Sequence, residues 1–189
     1  MNFKKLFRTF ALMVAVSLVS FSFTSCGGDD DEGGDDPAKV QTPKSAMALY
    51  QFEASQDMID LLDITISYID KGEIKSETMK TTKWTATANG LVLPATFGYR
   101  VHMSVKDNAD FSKGSFDLTV KTYSTQYAVY DQDGERIESL SKVSSTNTSG
   151  GFTNLDEATI RNVFADKEYI QVGFEIGTDG KYAKKTINW

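Results

Sequence analysis

Phe97-Gly98-Tyr99-Arg100-Val101-His102-Met103-Ser104-Val105 decides the fold. Phe97, Tyr99, Val101, Met103 and Val105 alternate with Arg100, His102 and Ser104. Successive side chains of a strand point to opposite faces, so one face is dry and the other wet. The same period runs upstream. Leu62, Ile64, Ile66 and Tyr68 alternate with Asp63, Thr65 and Ser67. Asp70-Lys71-Gly72-Glu73 makes a turn, and Ile74, Ser76 and Thr78 resume the alternation as the second arm of a hairpin. Thr82, Trp84, Ala86 and Ala88 share a face in the next segment. Asn89-Gly90 is expected to end it, and Pro94 keeps its neighbours out of a central strand.

Downstream, Phe116, Leu118 and Val120 open another long strand. The apolar parity shifts before Tyr127 and Val129, which implies a bulge or a bend. Asp131-Gln132-Asp133-Gly134 is expected to turn it into a partner over 135–145, with a polar loop over 144–151. One short helix is expected over 155–164. Asn154 and Glu157 have capping-box spacing there, and Leu155, Thr159, Ile160, Val163 and Phe164 share a face. Ile170, Val172, Phe174 and Ile176 form a strand. Thr178-Asp179-Gly180-Lys181 turns it back, and residues 182–188 return to the C-terminus. Seven to nine hairpin-linked strands with one helix are most economically packed as two antiparallel sheets. The expected fold is all-β, an immunoglobulin-like β-sandwich over 45–189, with Trp84 and Trp189 as candidate core aromatics. A closed barrel with a plug helix is the alternative.

The N-terminus has a different composition. Lys4, Lys5 and Arg8 precede an apolar run, Phe10 to Phe23, too short to span ~30 Å of hydrocarbon comfortably as a helix. Thr24 and Ser25 are small, and Cys26 follows as the only cysteine in the chain. The segment Ser25-Cys26-Gly27-Gly28 resembles a bacterial lipoprotein signal, with Phe23 where leucine is usual. That resemblance implies removal of residues 1–25, acylation of Cys26 and anchoring to a membrane through the acyl chains. Residues 27–36 carry six acids and four glycines and no apolar side chain. Such a run cannot bury enough surface to order itself, so 26–44 is expected to be a flexible acidic tether.

Charge narrows the partners. The chain carries a net −6. Loss of Lys4, Lys5 and Arg8 takes it to −9, of which the segment 45–189 holds −5. No Lys/Arg cluster interleaved with aromatics remains to meet phosphates, so nucleic acid is not an expected partner. An acidic domain is also repelled by an anionic leaflet, so anchoring rests on the lipid.

Little catalytic chemistry is legible. His102 is the only histidine and sits on the polar parity of its strand. A metal site built on it would need further nitrogen or sulfur ligands, and the sole cysteine lies outside the domain. No metal and no cofactor is expected. No G-x-S-x-G nucleophile elbow is present. Asp131, Asp133 and Glu135 resemble the start of a calcium loop, but Lys142 occupies its twelfth position, where a bidentate glutamate is needed. A hairpin turn explains the same residues. Asp107 and Asp110 read as a solvated loop. Paired carboxylates for glycoside hydrolysis cannot be singled out among so many acids. Tyr123 and Tyr127 are candidate glycan-stacking residues if their strand is unbulged; a bulge sends them into the core.

The stretches Leu61–Asp70 (LLDITISYID), Lys80–Thr87 (KTTKWTAT) and Leu93–Lys106 (LPATFGYRVHMSVK) resemble small secreted lipoproteins of Bacteroidetes. The acidic run after Cys26 resembles the signal that places such lipoproteins on the outer face of the outer membrane. The resemblance implies a surface lipoprotein with a sandwich domain and transfers no functional residues. The expected function is a non-catalytic interaction module for a protein partner. A glycan-binding accessory protein of polysaccharide uptake is the alternative, and a hydrolase comes third.

Overall fold

The computed structural model describes residues 40–141 and 150–189. Residues 1–25, Cys26 and the acidic run to Asp36 lie outside the described residues. The described residues form nine strands: β1 (Pro43–Ala54), β2 (Leu62–Asp70), β3 (Glu73–Thr78), β4 (Lys83–Val92), β5 (Ala95–Val105), β6 (Phe116–Asp131), β7 (Gly150–Leu155), β8 (Lys167–Ile176) and β9 (Tyr182–Lys184). Two short α-helices, α1 (Gln56–Leu61) and α2 (Glu157–Val163), and one 3-10 turn at Glu138–Leu140 complete the described elements.

The strands form two antiparallel sheets, in the orders β4-β1-β6-β7 and β3-β2-β5-β8-β9. This is the sandwich that the alternation implied. It is an all-β sandwich of two antiparallel sheets, with β1 and β2 in different sheets. Phe97, Tyr99, Val101 and Met103 are buried as expected, against Leu62, Ile64 and Ile66 of the neighbouring strand.

Several boundaries differ from expectation. The first strand begins at Pro43, so Pro43 and Lys44 belong to the sheet and not to the tether. A second helix, α1, follows directly from β1. Ser55 caps it, its Oγ accepting from the Met58 N–H at 3.4 Å. β4 continues through Asn89-Gly90 as a bulge, because these two residues together oppose the single residue Met47 of β1. α2 is capped by Asp156 rather than Asn154: the Asp156 carboxylate accepts from the Thr159 N–H at 2.8 Å. Asn154 sits in β7 with a left-handed φ of 56°. Residues after the Asp131–Gly134 turn make one bridge, Tyr130 to Arg136, and then the 3-10 turn. The real partner of β6 on that side is β7, which begins where a loop was expected.

The bulge in β6 is at Lys121. Glu53 pairs with Thr122 and Ala54 with Val120, which leaves Lys121 as the extra residue. Parity therefore flips: Phe116 and Leu118 face inward before it, and Tyr123, Tyr127 and Val129 pack on the core after it.

Candidate functional site

The two flanks of the sandwich end differently. On one flank β4 closes over β2 and β3. Trp84 packs edge-on against Tyr68 with centroids 5.4 Å apart, and tilted against Tyr99 at 6.2 Å. Glu77 of β3 accepts from the Trp84 Nε1–H at 2.9 Å and from the Tyr68 hydroxyl at 2.7 Å. Those two donors hold the Glu77 carboxyl below its ordinary value. Burial, with Glu77 beside it, pushes Tyr68 up to about 12. Deeper in, the Tyr50 hydroxyl donates to Ile69 O at 3.3 Å and accepts from the Gly98 N–H at 3.1 Å. The β2–β5 ladder stops at Tyr68 opposite Tyr99. Tyr50, from the facing sheet, takes the place of its next rung.

On the other flank β7 and β8 face each other without closing. Between them is a cavity of about 530 Å³. Its floor is apolar: Met58 of α1, Met103 of β5, Leu118, Val120 and Tyr123 of β6, and Phe164 just after α2. Its walls are three consecutive residues of β7, Gly150 to Phe152, and four of β8, Tyr169 to Val172. A strand that turned a face to the cavity would contribute every second residue. Consecutive residues mean that the main-chain edges border it.

Three local causes keep this flank open. β7 begins with two glycines. Gly151 lies so close to β6 that a Cβ there would come within 2.5 Å of Leu118 O. The β5–β8 register shifts between Val101 and His102, making Tyr169 an extra residue. Its hydroxyl donates to Val163 O at the end of α2, and burial pushes its pKa up to about 12. Lastly, the C-terminal tail leaves the edge of β8. Lys185 N–H donates to Gly173 O at 3.0 Å. Then Ile187 crosses to the outer face, where a Cβ on Gly98 or Gly173 would collide with it. The Gln171 side-chain amide holds the Ile187 carbonyl at 3.2 Å. Trp189 ends on this outer face, 5.5 Å from the Arg100 guanidinium, and is not a core residue.

The expected site residues fall in several places. Cys26 lies outside the described residues. Tyr123 is in the cavity floor. Tyr127 is half-buried under Tyr182, with centroids 5.7 Å apart and planes 14° apart. Phe174 stacks on Tyr182 at 5.3 Å. Tyr123 and Tyr127 thus point inward together but present no shared outward platform, because the Lys121 bulge reverses them. His102 lies on the outer face with Nε2 3.1 Å from Asp166 Oδ1. Asp131 is buried, and its Oδ1 accepts from the Asp133 and Glu135 N–H groups at 3.0 and 2.8 Å. It staples the hairpin turn that the sequence also allowed. Asp110 accepts from the Ser112 N–H at 2.8 Å in an exposed loop.

Sequence reasoning missed the cavity altogether. Its lining includes no acid, base or histidine. Near Tyr123, the buried Tyr99 hydroxyl has no hydrogen-bond partner among the described residues. Burial, with Tyr123 nearby, raises its pKa. Among the described residues no cluster of three His, Cys, Asp or Glu is arranged to hold a metal, and no helix is long and apolar enough to cross a membrane. No family model matches this chain, and no curated protein and no solved structure matches it.

Proposed function

We propose that the protein is a non-catalytic interaction module, held on the outer face of an outer membrane by acyl chains on Cys26, whose partner docks at the open flank. The observation that carries the docking site is the cavity between β7 and β8, apolar in its floor and bordered by strand edges. Exposed edges over apolar surface are unstable toward association unless something covers them. The anchoring part rests on the sequence alone: the basic start, the short apolar run and the lone Cys26. The test is a photo-crosslinking residue placed at Phe152 in the full chain in cells, with one at Ile74 on the exposed opposite edge as control. Adducts from position 152 and none from 74 are expected. No adduct from 152 removes this docking site.

The glycan reading keeps one foothold. Tyr182 is 44% exposed and is backed by the rings of Tyr127 and Phe174. A sugar that stacked there should lose affinity in Tyr182→Ala on a glycan array.

A further inference from the structure

We propose that the open flank takes an extended polypeptide segment of a partner, added as a strand along β8, with alternate apolar side chains turned into the cavity. This deepens the docking reading and rests on it.

The hydrogen-bond ladder points to a strand. In an antiparallel sheet the N–H and C=O of one residue point to the same side, and the side alternates along the chain. Gly173 O accepts from Lys185, so the Gly173 groups point away from β5. Two residues earlier, the Gln171 groups point the same way. Beside Gln171, however, no strand of the described residues continues, since β9 pairs only with Phe174 to Ile176. The tail that would have continued it is drawn off by Ile187, seated over Gly98 and Gly173. The ladder stops where the chain's own strand is steered away. A second main chain can resume it in line with β9.

The floor then decides the side chains. A strand lying along this edge turns every second residue toward Leu118, Val120 and Tyr123. At roughly 30 Å³ per heavy atom-sized share, a cavity of about 530 Å³ holds around three aliphatic side chains and part of the main chain between them. An acyl chain or other apolar ligand of the same volume would cover the edge without pairing it, and unpaired main-chain groups are costly once dry. The segment 27–36, having only glycine and acids, lacks the side chains to be this strand itself. Charge gives the ends. The segment 45–189 carries net −5, and Asp166, 83% exposed, stands beside the start of β8. A basic residue at the end that passes Asp166 is favoured, and an acidic segment is not.

The test uses a displayed library of random heptapeptides, selected on the full chain. Enriched peptides should be apolar at alternate positions, with a basic residue at one end. A synthetic copy of the best peptide should lose at least tenfold in affinity when its edge-facing amides are N-methylated. It should lose as much against Gln171→Pro, which removes an N–H pointing away from β5. Apolar residues at helical spacing, or binding indifferent to N-methylation on the unaltered protein, would overturn strand addition. N-methylation needs no protein variant, so a Gln171→Pro chain that fails to fold leaves the test intact. If the library enriches nothing while position 152 still crosslinks in cells, strand addition falls and the docking site stands. If both fail, both readings fall.

Discussion

The closed flank and the open flank share the same two sheets, yet one is riveted and the other gapes. On the β4 side, Trp84, Tyr68, Tyr99 and Tyr50 pack ring to ring, and one carboxylate ties two of them to β3. On the β7–β8 side, Phe152, Tyr169, Ile170 and Val172 remain partly exposed around a cavity. The difference is one of edges. β4 brings an indole over its neighbours, whereas β7 begins with glycines and β8 loses its partner strand at Gly173. What differs is whether an element is left to cover the apolar residues of each side.

The largest expected effect breaks the riveted side. Trp84→Ala removes two ring contacts and strands Glu77, and should destabilise by ~3–5 kcal/mol in urea unfolding. A loss under ~1 kcal/mol would mean that this flank is no better packed than the other. Next, Gly98→Val drives a side chain into Ile187 and the Val172 carbonyl. Overpacking of that kind costs ~1–3 kcal/mol. Limited proteolysis should show the C-terminus released from the outer face; an unchanged digestion pattern would separate the tail from the glycine pair.

A smaller effect sharpens the electrostatics. Glu77→Gln exchanges a charged acceptor for a neutral one and should cost ~1 kcal/mol at pH 7. The pH dependence follows from the lowered folded pKa. Glu77 contributes stability that is present above the unfolded value of ~4.3. That contribution is lost as pH falls through the folded value, because the unfolded chain then binds the proton more readily. The gap between parent and Glu77→Gln should therefore narrow from pH 5 to pH 2. A gap constant across that range would contradict the assignment. The smallest effect belongs to the open side: Phe152→Ala should cost about 0.5 kcal/mol or less in urea unfolding, near the surface range, and a loss above ~2 kcal/mol would mean that this flank is packed as firmly as the other.

Legibility followed contrast. β2 and β5 were readable because isoleucine, valine and tyrosine alternate with Thr, Asp and Arg. β1, central in its sheet, was not. Its inward residues include Ala46, Ala48 and Ala54, while Met47 and Leu49 take the outer parity, so hydropathy hardly alternates. α1 was hidden for a different reason: six residues make less than two turns, too few for a period to show. The parity slip before Tyr127 was visible, but only pairing with β1 locates it at Lys121. The cavity could not have been read at all. It depends on which strands end as neighbours across the sheets and on where the C-terminal tail departs, and both are long-range facts.

One consequence of β1 is spatial. The chain enters the sandwich at Pro43, beside Leu140 and Gly180, and β1 runs 12 residues before α1. At ~3.3 Å per residue, that strand is a ruler of nearly 40 Å. Met58, in the floor of the cavity, lies just past its far end. The cavity therefore opens at the pole of the sandwich opposite Pro43, about the length of one strand from where the chain enters it.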